Sequence, residues 1–227
     1  MNRIYISIII SLIALSASSQ QLWLGAEGQK FYDEFINRQA VKGEMESYEG
    51  SPYMNEEFTE SSITSSENDV FEKVPLRYNI YNDVFEVEME DAVYKLRRGG
   101  MVAEVSLPGH SFIYSKYDYL SSEGEGYLEL LVRGNYTLYK KYRVIFKKAE
   151  PAQPYMDAKP AMFQERDPLF FIAQGDDQPV FIRNNRSLED IAGKKGKALK
   201  DFIRDKRLKI RNEEDIVRVV QFLNNMY

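Results

Sequence analysis

Apolar and polar residues alternate most regularly over residues 75–96, where two runs of period two flank a short polar break. Such alternation predicts two half-buried antiparallel strands, 76–81 and 85–90, with their apolar side chains in the core. The second run then places three glutamates in water: Glu86, Glu88 and Glu90. Asn82 and Asp83 tolerate positive φ, so the break predicts a two-residue hairpin turn. We expect this hairpin to lie at the centre of a β-sheet.

Further strands are predicted between compact turn signals. Three dipeptides favour tight turns: Gly99-Gly100, Pro108-Gly109 and Gly134-Asn135. The strands predicted around them are 93–97, 101–107, 111–114, 127–133 and 136–146. A last hairpin is expected from 169–173 and 180–183, through a turn at Gly175-Asp176-Asp177. Because short turns join antiparallel neighbours, the pattern indicates a β-meander.

Three stretches break the alternation and are predicted to be irregular. Residues 49–73 form a long loop, and the polar run 59–68 is expected to be mobile because Ile63 is its one apolar residue. Residues 121–126 are predicted to be a second loop. The segment 149–168 is predicted to be an extended connector because prolines, which cannot donate to a sheet ladder, recur in it: Pro151, Pro154, Pro160 and Pro168.

The apolar spacing changes to about 3.6 residues at both ends of the chain. Near the N-terminus a short amphipathic helix is predicted from Leu24, Gly28, Phe31 and Phe35, although 41–48 also fits a strand. Three C-terminal helices are predicted from apolar stripes and caps. Their markers are a capping-box-like segment at 187–190 before Gly193, the stripe Ala198, Leu199, Phe202 and Ile203, and a cap at Asn212 before Ile216, Val219, Val220, Leu223 and Met226.

These elements predict an α+β fold. The expected core is an antiparallel β-meander sheet of about seven to nine strands, flat or curved. A short N-terminal segment and two to three C-terminal helices should pack on it, because the apolar stripes of the helices need a partner surface. The expected organisation is a sheet domain over 20–185 and a helical segment of the same domain over 186–227.

The first nineteen residues have the pattern of a secretory signal peptide. Met1-Asn2-Arg3 is basic, and the apolar run 4–17 is shorter than the ~20 residues that span a bilayer. Ala17 and Ser19 are small, which favours cleavage after Ser19. We therefore expect an exported protein, periplasmic or extracellular, with no transmembrane segment after cleavage.

Composition narrows the possible chemistry. The chain has no cysteine and one histidine, His110. Disulfides, thiol catalysis, lipid attachment at cysteine and zinc sites with two imidazoles are therefore excluded. Oxygen-ligand metals stay open, but Asp176-Asp177 lacks the alternating ligand series of a calcium loop. No cofactor and no metal site is predicted.

Charge is distributed unevenly although the net charge is −5. Residues 44–72 carry nine acidic side chains and no basic one, whereas 186–211 carries ten basic and four acidic ones. A basic run of this kind can bind nucleic acid or a membrane surface, but export argues against nucleic acid. The alternatives are that each run is a solvated face or that the two runs attract one another.

Two segments carry a family resemblance: residues 50–58 (GSPYMNEEF) and 75–83 (PLRYNIYND), followed by the basic helical tail. Together they resemble a family of exported, uncharacterised proteins of Bacteroidota, over most of the mature chain. The resemblance implies a location in the cell envelope. It contributes no catalytic residue.

No catalytic constellation is predicted from the residues. His110 follows a Pro-Gly turn, and neither Ser106 nor Ser111 lies in a nucleophile-elbow sequence, so His110 is interpreted as a solvated turn histidine. The three glutamates of the hairpin lack apolar neighbours that would separate their pKa values, as glycoside hydrolysis requires. A carboxylate-dependent hydrolase is therefore the third hypothesis for function.

The leading hypothesis is a non-enzymatic envelope protein that binds a protein partner. The chain has sixteen tyrosines, and tyrosine is favoured at interfaces, although it is also favoured in strands. Binding is assigned to the tyrosine-rich sheet or to the basic helices, through Tyr114, Tyr117, Tyr119, Tyr139, Lys197, Lys200 and Arg204. The alternative is a periplasmic carrier of an apolar ligand inside a curved sheet. The oligomeric state is not predicted.

Overall fold

The structure is a computed structural model that describes residues 26–40, 48–89, 92–152 and 157–226. These ranges contain twelve β-strands and four α-helices, so the predicted α+β class is confirmed with more strands than expected. The signal peptide, most of the segment 41–48, Leu24 and Glu90 lie outside the described residues.

The predicted N-terminal helix is present as α1, Ala26–Phe35. Phe31 and Phe35 are one turn apart, are buried, and stack with their ring centroids 5.3 Å apart. This helix belongs to a compact unit that ends at Ile36. The sheet, apart from the first residue of β1, and the other helices belong to a second unit, residues 37–227.

The first part of the sheet runs in the order β1-β6-β5-β4-β3-β7-β8. Every pairing from β6 to β8 is antiparallel, as a meander requires. The bounds are β1 Ile36–Ala40, β3 Thr59–Ser65, β4 Val70–Asn79, β5 Val84–Met89, β6 Ala92–Leu96, β7 Val102–Leu107 and β8 His110–Tyr119. A two-residue strand, β2, Tyr48–Glu49, pairs in parallel with β11.

The second part of the sheet closes on itself. Its strands follow the order β8-β12-β11-β10-β9, and β9 pairs again with β8. We call these five strands the strand ring. Its remaining members are β9 Ser122–Val132, β10 Tyr136–Lys147, β11 Ala161–Gln174 and β12 Val180–Phe181. The pairing of β12 with β8 is parallel and short, whereas the other pairings in the ring are antiparallel.

Aromatic side chains fill the inside of the strand ring. The C-terminal helices cover one face of β10 and β11, through Leu138, Phe170 and Ile172, so the alternating residues of these strands face into the ring. The inward face includes Tyr117, whose ring lies 4.7 Å from that of Phe171, and Phe171 in turn lies 5.7 Å from Phe181. Gly124 of β9 leaves room for this side chain, since a Cβ at that position would come within 2.5 Å of the Tyr117 ring.

An aromatic core joins the hairpin β4–β5 to the outside of the ring. The rings of Tyr78 and Phe85 stack at 4.8 Å, and Phe85 meets Tyr127 of β9 edge-on at 4.7 Å. All three are nearly inaccessible to water. Burial raises the pKa of the Tyr78 hydroxyl well above 10.0, and the carboxylate of Asp83 adds to the shift.

The C-terminal helices pack on the outside of the ring, as predicted. They are α2 Asn185–Ala192, α3 Gly196–Asp205 and α4 Glu213–Asn224, with a 3₁₀ turn at Gly193–Lys195. Their buried apolar side chains form one cluster with Leu138, Phe170 and Ile172 of the sheet. Each fully buried aliphatic side chain of this kind stabilises the fold by about 1.5–3 kcal/mol.

The hairpin predicted within residues 75–96 is confirmed. Its predicted position at the centre of the sheet and its predicted two-residue turn are wrong. It lies near the β1 end of the sheet, whereas β7 occupies the middle of the strand order. Asn79 pairs with Val84, so the connection has four residues, 80–83, instead of two. Asp83 does take positive φ, at 52°.

Glu86 is buried, and its prediction as a water-facing side chain is wrong. It is 1 % exposed and accepts hydrogen bonds from Arg77 Nε at 2.8 Å and from Asn79 Nδ2 at 3.1 Å. The Arg77 guanidinium lies between the rings of Tyr53 and Phe58, at 4.0 and 4.4 Å from their centroids. A carboxylate can be buried when hydrogen bonds and an opposite charge compensate it. The alternation of apolar and polar residues does not show whether such a partner is present.

The predicted loop at 59–68 is a strand over Thr59–Ser65. Its burial alternates, with Ser61, Ile63 and Ser65 in the core. Serine is tolerated there because its hydroxyl finds local partners: Ser61 Oγ donates to the Thr59 carbonyl at 2.8 Å. Ser65 Oγ accepts from the Asp69 N–H at 3.0 Å.

Two further predicted irregular segments also belong to strands. Residues 122–126 are part of β9, because β8 and β9 pair as far as Tyr119 and Ser122. Residues 161–168 are part of β11, which holds Pro168 at an irregularity of the ladder. Among the helices within the described ranges, none is long and apolar enough to cross a membrane.

Candidate functional site: an arginine cleft at the mouth of the strand ring

A cleft of about 320 Å³ opens at one end of the strand ring. Inward-facing side chains of the ring line its floor, among them Tyr119 and Phe181, whose centroids are 5.0 Å apart. Three arginines from three separate segments line it as well: Arg143, Arg183 and Arg211. We call this cavity the arginine cleft.

Arg143 is positioned by an irregularity in the β10–β11 ladder. The register shifts between Lys141 and Arg143, so that Asp167 and Pro168 of β11 together face Tyr142. Such a bulge accommodates proline, which has no N–H for the ladder. The freed Asp167 carbonyl accepts hydrogen bonds from Arg143 Nε at 2.8 Å and Nη2 at 2.6 Å. The bulge therefore holds the guanidinium at the cleft.

Arg183 and Arg211 each precede the N-cap residue of a helix. Asn184 caps α2, where its Oδ1 accepts from the Ser187 N–H at 3.0 Å and Ser187 Oγ accepts from the Arg183 N–H at 3.1 Å. Asn212 caps α4, where its Oδ1 accepts a hydrogen bond from the N–H of Asp215, the third residue of the helix, at 3.0 Å. Capping thus fixes the backbone at both arginines.

The charges around the cleft are unbalanced. Asp167 is the one acidic residue among its lining residues, against three arginines. In the part of the chain that the structure describes, the side chains of Arg183 and Arg211 have no ion pair. The segment 206–211, which we call the basic loop, ends at Arg211 and adds three exposed cations: Lys206, Arg207 and Lys209. Clustered positive charge raises the local concentration of anions.

A second cavity of about 360 Å³, the outer cavity, adjoins the same bulge and also includes Arg143. Its charges are more nearly balanced than those of the arginine cleft. Lys140 Nζ lies 2.6 Å from a carboxylate oxygen of Glu213 and 4.3 Å from the centroid of the Tyr142 ring. Glu165 and Glu213 place two carboxylates in its lining beside the cations Lys140, Arg143 and Arg166. The outer cavity therefore offers an anion less attraction than the arginine cleft.

A buried polar network extends inward from the outer cavity. The Tyr142 hydroxyl donates to Glu129 Oε2 at 2.8 Å, and the other oxygen of Glu129 lies 2.5 Å from His110 Nδ1. The Glu129 side chain is 5 % exposed and that of His110 is 37 % exposed. Burial, followed by the Glu129 carboxylate, raises the pKa of Tyr142 far above 10.0.

His110 is partly exposed to solvent, as predicted, but it is the first residue of β8 and its ring is held by Glu129, which the interpretation as a turn histidine did not include. A His–carboxylate pair is one half of a nucleophile-activating arrangement. The nearby serine does not complete it, because Ser111 Oγ donates to Glu104 at 2.6 Å. The Glu104 pKa is lowered: hydrogen bonds from Ser111 and Arg133 outweigh the opposing effect of burial.

The four predicted tyrosines do not form one exposed surface. Tyr114 faces outward and packs on Tyr127 at 5.1 Å, whereas Tyr117 faces into the ring. Tyr139 lies opposite Phe171 in the ladder and is half-buried. Burial raises the pKa of Tyr114, Tyr117 and Tyr139. Tyr119 is the member of the set that lines the arginine cleft.

The three predicted cations of α3 are exposed, but two of them are paired. Lys200 Nζ lies 3.6 Å from Glu189, and Arg204 contacts Asp201 at 2.9 Å and its sequence neighbour Asp205 at 3.0 Å. Lys197 is exposed on the same helix. The acidic residues of the helical segment therefore neutralise much of α3, which leaves the basic loop as its strongest cationic feature.

The sequence patterns did not predict four of the cleft residues as site residues: Arg143, Arg183, Arg211 and Phe181. One local signal was available: an arginine stands immediately before a helix-capping asparagine at both 183–184 and 211–212. The bulge that places Arg143 depends on pairing between strands that lie about twenty residues apart. No local pattern reports that pairing.

Searches of protein-family models, of curated proteins and of solved structures found no match to the chain.

Proposed function

We propose that the chain is an exported, non-enzymatic envelope protein that binds an acidic surface of a partner protein. The binding surface is the basic loop together with the rim of the arginine cleft. The observation that carries the proposal is the set of three arginines around one cleft, two of them without an ion pair in the described residues. Arginine and tyrosine are enriched at protein interfaces, and complementary charge speeds and orients association.

The geometry favours the cationic surface over the tyrosine-rich sheet. Tyr117 packs inside the ring and Tyr114 packs against Tyr127, so neither is free to serve as an interface anchor. The carrier alternative has less support, because Tyr117, Phe171 and Phe181 occupy the inside of the ring. The hydrolase hypothesis has less support, since one of its three carboxylates, Glu86, is held by Arg77 and Asn79.

A capture experiment with two matched variants tests this proposal. The loop variant carries Lys206→Gln, Arg207→Gln, Lys209→Gln and Arg211→Gln. The helix variant carries Lys197→Gln, Lys200→Gln and Arg204→Gln, on the adjoining helix. Each immobilised protein is exposed to envelope extract of the source cells, and captured proteins are quantified by mass spectrometry.

We expect the loop variant to lose proteins that the wild type captures, and the helix variant to retain them. Circular dichroism of both variants controls for folding, which surface substitutions of this kind alter little. Equal capture by the wild type and the loop variant contradicts the proposal. Loss in the helix variant alone assigns binding to α3 instead.

A further inference from the structure

The three arginines of the cleft retain free hydrogen-bond donors. A guanidinium has five N–H groups in a fixed plane. Arg143 uses its Nε and one Nη2 hydrogen on the Asp167 carbonyl, so three of its donors are left. Arg183 and Arg211 have no carboxylate partner among the described residues. The planar fork of arginine fits carboxylate and phosphate oxygens in pairs.

Apolar side chains form part of the floor of the same cleft, beside its polar groups. Tyr119, Leu169, Phe181 and Ile210 are partly exposed, whereas Phe170 and Ile182 are almost fully buried. Its volume of about 320 Å³ lies at the small end of the range for ligand pockets, about 300–1,000 Å³. An inorganic anion would contact the arginines and leave this floor exposed to water. An apolar molecule would leave the guanidinium groups without a partner.

We infer that the arginine cleft binds an amphipathic anion, in which one carboxylate or phosphate group is attached to an aromatic or aliphatic body. The anionic group lies between the guanidinium groups, and the body lies on Tyr119 and Phe181. The group belongs either to a free small molecule or to the C-terminal residue of a polypeptide. This inference rests on the proposed function only in that the cleft forms part of the same binding surface.

Three matched probes test separately whether the anionic group and the apolar body contribute to binding. Phenylacetate carries both a carboxylate and a ring, phenylacetamide is its neutral counterpart, and acetate lacks the ring. Each is titrated into the full-length mature protein, and binding is followed by ¹H–¹⁵N spectra that include the arginine Nε–H signals. We expect phenylacetate to bind at least about tenfold more tightly than either control, because each control loses one class of contact.

Variants locate the site. Arg183→Gln and Arg211→Gln are expected to weaken phenylacetate binding about tenfold or more each, because each removes a charged donor. Arg204→Gln is the matched control, since Arg204 is ion-paired on α3, and it should leave the affinity unchanged. Arg183, Arg204 and Arg211 are all exposed, so their substitution should leave the fold intact.

Two peptide probes distinguish the source of the anion. Acetyl-Gly-Gly-Phe is tested with a free C-terminal carboxylate and as its amide. Tighter binding of the acid than of phenylacetate indicates a polypeptide terminus, whereas weaker binding indicates a free small molecule. Both outcomes support the inference.

Three results overturn it: equal binding of phenylacetate and phenylacetamide, equal binding of phenylacetate and acetate, and no effect of either cleft arginine. None of these bears on whether the loop variant loses its captured partner. Conversely, capture that survives in the loop variant contradicts the proposed function while phenylacetate binding stands. The two failures are therefore distinguishable.

Discussion

Asp83, at the end of the β4–β5 turn, holds Lys141 of β10 through an ion pair of 3.0 Å. The strands β9 and β10 pair only from Leu138 to Lys140 on the β10 side, and the Asp83 carboxylate lies where they part. It also accepts from the Tyr78 hydroxyl at 2.6 Å and from the Tyr127 N–H at 3.4 Å. The turn of the hairpin thus closes the seam of the strand ring.

Replacement of Asp83 tests this closure. Asp83→Asn keeps a residue that tolerates positive φ but leaves the mostly buried Lys141 without its counter-charge. We expect the free energy of unfolding to fall by about 2–3 kcal/mol, measured by urea denaturation. Glu123→Gln, which removes an exposed pair with Lys116, is the control and should change stability little. A similar loss in both variants would show that the seam contact has no special role.

Gly126 is expected to be intolerant of alanine for the same reason. A Cβ at this position would lie 2.5 Å from Lys141 Nζ and still closer to the Asp83 carboxylate. We expect Gly126→Ala to cost about 1–3 kcal/mol in unfolding free energy. In the double variant with Asp83→Asn, the two costs should not add, because both act on one contact. Strict additivity would contradict the geometry of the seam.

Tyr142 should determine part of the alkaline stability. Its pKa is raised in the folded state by burial and then by Glu129, so the folded protein keeps a proton that the unfolded chain releases near pH 10.0. Stability therefore falls as the pH rises above 10.0 towards the folded pKa. In Tyr142→Phe, the number of protons released on unfolding at alkaline pH should fall by about one.

The same substitution should lower the free energy of unfolding at pH 8 by about 2 kcal/mol, because Glu129 loses a hydrogen bond. Urea denaturation at pH 8 and at pH 10.5 measures both effects. Tyr81→Phe, at a side chain that is 45 % exposed, is the matched control and should leave both values near those of the wild type. An unchanged alkaline slope in Tyr142→Phe would refute the assignment.

Asn212 is expected to support both helix α4 and the adjacent Arg211. Asn212→Ala removes the acceptor for the third N–H of the helix and should cost about 1 kcal/mol. Amide hydrogen exchange should speed up in the first turn of α4 and in the basic loop. Asn212→Asp restores the cap and should restore protection. Protection that is lost equally in both variants would exclude the capping explanation.

Sequence patterns predicted most strands, the C-terminal helices and the fold class, because alternation and caps are local signals. They failed where a buried polar side chain has a hydrogen-bonding partner that alternation does not show. Glu86 is buried through Arg77, and Ser61 and Ser65 occupy core positions of β3. Pro168 lies within a long strand because a bulge removes the need for its N–H.

The candidate site was less accessible to sequence reasoning than the fold. The run of basic residues at 186–211 predicted binding through the C-terminal helices. Lys200 and Arg204 are instead neutralised by ion pairs, and a count of charges along the sequence does not show these pairs. Tyr119 lines the cleft, whereas Tyr114 and Tyr117 of the same predicted set pack against the sheet and inside the ring. Arg143, Arg183 and Arg211 line one cleft, and Arg143 is placed there by the pairing of β10 with β11, whose partner residues lie more than twenty positions apart in sequence.

The affinity of a captured partner for the cleft arginines tests the central claim most directly. The most abundant protein captured by the wild type is purified, and its dissociation constant is measured for the wild type and for the Arg183→Gln/Arg211→Gln double variant. We expect the double variant to bind at least about tenfold more weakly, with a shallower dependence on salt concentration. An unchanged dissociation constant and an unchanged salt dependence would contradict the account.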